Sequence, residues 1–427
     1  MNLILMLMTI TYCVVGQLMS EAPNLYLKAL QKNPLARQFS HGYIEARSGA
    51  HFFYWLYYAD GKKAGSNQKP LIIWIQGGPG FAASGVGNFG EFGPLHMDLK
   101  PRNHTWVKGR NLLLIDHPAG VGFSYVTNST LLVDSDRDMA LDLCRVIKRF
   151  FRRHKEFRNT PTYIFGQSYG GKITPILGLY LHTAIKKKGL KINFKGIGIG
   201  GGWVNPKEST LSQPDFLYHA GAIDRALYLS STKIAQELAD TVDKKSYLSA
   251  EVLDSLLYMT LNEDTDINFN NLKAPSPYPA LTKLNLVMNS YVKPALSKVN
   301  QTIQWKYLST DAYYKLKANF LVPTTLFLER LLNQTSLKIV VYNGNLDVIT
   351  PIAGASNWVH KLKWPGTDEF NKAKRVPIPG KRNGYYKTVK QLSFWSVFEA
   401  GHWVPEDNPE AMDYILKYIT QTDVINN

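Results

Sequence analysis

Cysteine is almost absent from this chain: two occur in 427 residues, Cys13 and Cys144. Cys13 falls in an apolar N-terminal stretch. A processed chain would keep Cys144 alone and form no internal disulfide. Stability then rests on burial, which a chain of this length can supply. Cys144 lies in the helical pattern 139–151 and is read as a core residue. Long hydrophobic runs are also missing. Past residue 16 nothing is apolar over the ~20 residues that a membrane-spanning helix needs. No internal repeat or low-complexity tract is visible. Acidic residues are scarce beside basic ones, 33 against 49, for a net charge of +16.

What is present is a globular balance, 45% hydrophobic and 19% charged, typical of a large folded core. Residues 2–16 are almost wholly apolar and read as a signal peptide cleaved before Gln17. A buried N-terminal helix is the alternative. Four glycosylation acceptors, at Asn103, Asn128, Asn300 and Asn333, agree with a secreted or lysosomal protein. The basic run 148–155 closes a helical pattern, where cations suit the C-terminal dipole. It and Lys186-Lys187-Lys188 are read as solvated faces, with no nucleic-acid partner. Weak attraction to anionic surfaces is the alternative.

Apolar runs at 71–75, 112–115, 163–165, 194–199 and 338–342 have the mark of strands covered on both faces. Helical patterns separate several of them, which predicts an α/β fold with a mostly parallel sheet flanked by helices. Between 205 and 321 the pattern turns to short amphipathic helices. This segment is expected to be a cap insertion, dividing the core into 17–204 and 322–427.

Gly166-Gln167-Ser168-Tyr169-Gly170 is the most informative stretch. It follows a short strand pattern and precedes a helical one, from Lys172 to Lys188. Strand, sharp turn and helix make a nucleophile elbow, with Ser168 exposed at the turn. Asp347 follows the strand 338–342, and His402 follows the strand-like 392–398. The order Ser, Asp, His is that of α/β-hydrolases. Such sheets carry their sites at the strands' carboxyl ends. His402 Nε2 would take the Ser168 proton while Asp347 holds the imidazole tautomer. His360 sits on a helical pattern, and Asp116 precedes the elbow; both suit structural roles better. The tetrahedral intermediate needs two backbone donors. Tyr169 N–H supplies one, and the loop Gly77-Gly78-Pro79-Gly80 suits the other. No cofactor and no metal are expected.

The chain resembles the serine carboxypeptidases, most of all their retinoid-inducible branch. The resemblance rests on Trp74 to Gly80, Gly87 to Pro94, Asn111 to Tyr125, Gln167 to Gly171 and Ala400 to Pro409. It implies release of a C-terminal amino acid from a peptide through an acyl-enzyme. It implies oxyanion donors at Gly78 and Tyr169, and a subsite for the substrate's terminal carboxylate at Gln76, Gly77, Glu91 and Gln167. Relatives carry a glutamate where this chain has Gln167, and pair it with the counterpart of Glu91. Two such acids share a proton at low pH. Here an amide replaces one of them and can donate to a carboxylate at any pH. An acyltransferase or esterase on the same fold, and a secreted binding protein without peptidase activity, are the competing readings.

Overall fold

The computed structural model describes residues 24–263, 266–275 and 281–420. The signal-peptide stretch lies outside them.

Among the described residues eleven strands form one sheet: β1 (Phe39–Arg47), β2 (Ala50–Tyr57), β3 (Leu71–Ile75), β4 (Asn111–Ile115), β5 (Tyr125–Val126), β6 (Pro161–Gln167), β7 (Asn193–Gly200), β8 (Lys338–Gly344), β9 (Val376–Pro377), β10 (Gly384–Val389) and β11 (Leu392–Val397). Their order is β1-β2-β4-β3-β6-β7-β8-β11-β10-β9, with β5 beside β2. The pairs from β4 through β11 are parallel. The outer pairs are antiparallel.

The apolar runs become strands because both faces of the central sheet are covered. All five residues of β3 are fully buried. Leu71, Ile73 and Ile75 join one hydrophobic cluster, whereas Ile72 and Trp74 join another. This alternation reflects the two-residue period of a strand. Each large side chain so buried contributes roughly 1.5–3 kcal/mol. The edge strands escaped sequence reading for the converse reason. β1 and β10 are half-exposed along most of their length and show no continuous apolar run.

Two long helices pack beneath the parallel strands. Asp136–Arg153 starts at Ser135, whose hydroxyl accepts the Asp138 N–H at 3.1 Å. It carries acids in its first turn and Arg152 and Arg153 in its last, complementing its dipole at both ends. Cys144 lies half-buried at the margin of its apolar face rather than in the core. The second helix, Tyr169–Lys186, begins directly after Ser168. It starts three residues earlier than its apolar spacing suggests, because its first turn is Tyr-Gly-Gly.

A buried ion pair joins these helices. Lys172 is fully buried, with its Nζ 3.0 Å from Asp136 Oδ2. It also donates to the carbonyl of Asn319 and to that of Phe320. The Tyr169 hydroxyl donates to the other oxygen of Asp136. Burial pulls the Lys172 ammonium below its usual range, and Asp136 opposes that pull.

Between β7 and β8 the described chain forms helices, among them Pro206–His219, Arg225–Asp243, Tyr247–Asn262 and Thr310–Leu316. Lys172 ties the end of this segment to the elbow helix. Removing one member of a buried pair leaves the other charge uncompensated and costs about 3–5 kcal/mol. Lys172→Met should lower the unfolding free energy by about that amount in urea titration. A loss indistinguishable from that of a surface lysine would show that the pair does not anchor the helix.

Candidate active site

The parallel register brings the ends of β3, β6, β7, β8 and β11 to one edge. Ile75 lies opposite Gly166, Gln167 opposite Gly200, and Gly344 opposite Val397. The loops that follow carry Ser168, Asp347 and His402.

Ser168 has φ 56° and ψ −124°, in a region that residues with a Cβ rarely enter. Its backbone is held from both sides. Its N–H donates to Gly200 O at 3.0 Å, and its carbonyl accepts from Trp203 at 2.9 Å and Lys172 at 3.2 Å. The helix packs close enough that a Cβ on Gly170 would lie 2.0 Å from the Ile75 carbonyl oxygen. The Tyr169 N–H opens that helix, so it has no intrahelical acceptor. Gly78 lies in the facing loop at φ 120°. A Cβ on neighbouring Gly77 would meet the Ser168 Cβ at 2.6 Å, which measures how closely this loop approaches the serine.

His402 and Asp347 form a buried pair. His402 Nδ1 donates to Asp347 Oδ2 at 2.8 Å. Asp347 also accepts the Thr350 N–H at 2.9 Å and the Thr350 hydroxyl at 2.7 Å. The His402 N–H donates to Asn270 O at 2.6 Å. With Nδ1 committed to the carboxylate, Nε2 is the nitrogen that can accept a proton. Thr350 and Asn270 belong to no sequence motif, and nothing in the chain flagged them.

Ser168 and His402 line one cavity of about 560 Å³. Gln76, Gly77, Gly78 and Gln167 border it on the sheet side. Asp254, Tyr258, Met259, Tyr313 and Phe320 wall it from the helical segment. His360 does not reach it; that ring bonds to Ser356 O on its own helix at 2.8 Å. Asp116 is likewise structural. It accepts from the Ser84 N–H, the Ser84 hydroxyl and the Phe123 N–H at 2.7–2.9 Å, and burial pushes its carboxyl up to about 6.

Glu91 is fully buried and does not line the cavity. Gln76 Nε2 donates to Glu91 Oε1 at 2.9 Å and to Gln167 Oε1 at 3.1 Å. Gln167 Nε2 donates to Glu91 Oε2 at 3.0 Å and to the His402 carbonyl at 2.9 Å. Trp74 Nε1 donates to Gln76 Oε1 at 2.7 Å. Each amide group has two protons, and all four are engaged. The amide of Gln167, expected to donate to a substrate carboxylate at any pH, is thus already committed within the protein. Burial pushes the Glu91 carboxyl up to about 8, outweighing the two amide donors that favour the anion.

Of the glycosylation acceptors, Asn103, Asn128 and Asn333 are exposed and Asn300 is half-buried. Asn333 lies within a helix, with its Nδ2 donating to Glu329 O and Lys363 O.

A family model described as serine carboxypeptidase matches residues 29–422. The chain belongs to the serine carboxypeptidase family. Retinoid-inducible serine carboxypeptidase of Mus musculus is 34% identical over 413 residues, covering 89% of this chain and 91% of the relative. Serine carboxypeptidase-like 51 of Arabidopsis thaliana is 31% identical over 443 residues, covering 94% and 96%. Among solved structures, the Kex1 prohormone-processing carboxypeptidase of Saccharomyces cerevisiae has a TM-score of 0.79 at 23% identity, covering 91% of this chain and 92% of its own. The fold is that of the α/β-hydrolases, and the family's activity is that of a serine-type carboxypeptidase acting on peptides.

The raised Glu91 carboxyl makes stability depend on pH. Below about 4.5 the folded and unfolded chains both carry the proton, and burial is least costly. As pH rises toward about 8, the unfolded state loses its proton first and stability falls. Glu91→Gln should remove that decline. Urea unfolding at pH 5 and pH 8 tests it; equal declines in both proteins would refute the assignment.

Proposed function

We propose that this carboxypeptidase works through Ser168 as nucleophile, His402 as general base and Asp347 as the group that orients and charges the imidazole. The observation that carries this reading is the buried Asp347–His402 pair opening onto the same cavity as Ser168, which projects from a left-handed turn. In the first step His402 Nε2 takes the Ser168 proton as Oγ attacks the last peptide carbonyl. The N–H groups of Gly78 and Tyr169 receive the developing oxyanion. The imidazolium then protonates the leaving amino acid, and water releases the acyl group by the reverse sequence.

In the same proposal Gln76, Gly77 and Gln167 form the wall that meets the substrate's terminal carboxylate, with Glu91 behind them. Because the side-chain donors of Gln76 and Gln167 are engaged, binding there exchanges an amide hydrogen bond to Glu91 or the His402 carbonyl for one to the substrate. Residues 205–321 act as the cap over this edge of the sheet. Among the described residues no helix is long and apolar enough to cross a membrane. We place the protein in the secretory lumen, secreted or lysosomal, with glycans favoured at exposed Asn103 and Asn128.

Two measurements test the reading. Ser168→Ala should lower kcat on a blocked dipeptide by about 10³-fold or more and abolish labelling by a fluorophosphonate. Near-normal turnover would refute the nucleophile, and labelling without peptide cleavage would turn the reading toward ester or acyl-transfer chemistry. Gln167→Glu places a second carboxyl within 3.0 Å of Glu91 Oε2. That pair must share a proton, so the variant's kcat/KM should peak at lower pH than wild type. Superimposable profiles would separate Gln167 from the pH dependence.

A further inference from the structure

The cavity's charge runs against that of the chain. The protein carries a net +16, yet no lysine or arginine is among the described residues lining the cavity. Among those described residues Asp254 is the sole carboxylate. It projects from the helix Tyr247–Asn262 and is half-buried.

Its surroundings leave it uncompensated. Glu251, one turn earlier on the same helix, is matched by Lys317 at 2.8 Å. No such cation stands against Asp254 among the described residues. Burial pushes its carboxyl up to about 7, Glu251 adds to the push, and no donor pulls it back. The remaining wall beside it is apolar and aromatic, with Tyr258, Met259, Tyr313 and Phe320. Phe320 is itself fixed between Tyr169 and Trp203, with ring centroids at 5.9 and 5.2 Å.

We propose that Asp254 is a specificity-determining residue that selects peptides with a lysine or arginine side chain next to the scissile bond. This inference rests on the carboxypeptidase reading of the Ser168 site. The match is chemical. A long aliphatic stem packs on methionine and ring faces while its cationic head needs a carboxylate. A leucine in the same place would cover Asp254 without giving it a partner, the costly arrangement for a buried polar group. Hydrogen bonds to a charged partner imply a preference on the order of 10- to 100-fold.

The test uses two sets of N-blocked dipeptides at pH 7.5, one varying the terminal residue and one the residue before it. Each set contains Lys, Arg, Leu and Glu. Wild type should favour Lys and Arg over Leu by at least about tenfold in one set. Asp254→Asn should bring that ratio near one, with the Leu peptide's kcat/KM little changed. Asp254→Lys should favour Glu. Wild type without a basic preference in either set would overturn the proposal, as would an Asn variant that loses Lys and Leu cleavage alike. Thermal melts check that the variants fold. Failure of the activity reading is seen separately, as no cleavage of any peptide. Binding of the same peptides to the Ser168→Ala protein then decides: tighter Lys binding that Asp254→Asn removes upholds the proposal, and equal affinities sink it.

Discussion

The rest of the molecule is arranged to hold one residue, Ser168, in a backbone conformation it would not choose. A left-handed φ on a residue with a Cβ costs of order 1–3 kcal/mol. It persists only where the surroundings over-determine it. Here a strand end, a helix start and the loop after β7 each hold a backbone atom of Ser168. Those elements are rigid because the central strands are buried on both faces. The apolar core therefore acts on the chemistry indirectly: it supplies the stiffness that keeps the serine strained and at the cavity wall.

The same edge concentrates buried polar groups, and they differ in kind. Asp347 is fully provided with donors, and its partner His402 faces the cavity. Glu91, Gln76 and Gln167 are also fully provided, but toward one another. A satisfied buried network is stiff. Any group in it that serves a substrate must first give up a partner. A glutamate at position 167 would tie this network to proton sharing; the glutamine ties it together at every pH. The amide thus reduces the network's reliance on acid, while Glu91 keeps a titration that is felt mainly as stability.

Strands with continuous apolar runs were legible because burial on both faces leaves no polar positions. The half-exposed β1 and β10 were not, since their solvent-facing residues interrupt the pattern. Ser168, Asp347 and His402 could be placed by chain order, because parallel strands send their following loops to one edge. Their supports could not. Thr350 is three residues from Asp347, but Asn270 is 132 residues from His402, and a lone loop asparagine carries no period. Gln167 was noticed from its neighbours in sequence, whereas its partners lie 76, 91 and 235 residues away. Only the fold shows that its donors are spent. Lys172 likewise read as the first residue of a helix rather than as a buried cation.

The division of labour between sheet and helical segment follows from the same physics. The reacting groups must keep sub-ångström geometry, so they sit at the ends of strands that cannot move independently. Selection of the substrate's side chain needs only charge and volume, and the less regular segment after β7 provides both through Asp254, Tyr258 and Met259. Lys172 links the two parts. Its carbonyl partners at Asn319 and Phe320 lie on the helical side, and its carboxylate partner lies on the core. Movement of that segment must therefore be paid against a buried charge, which keeps Phe320 in register with Tyr169 and the proposed oxyanion donor it carries.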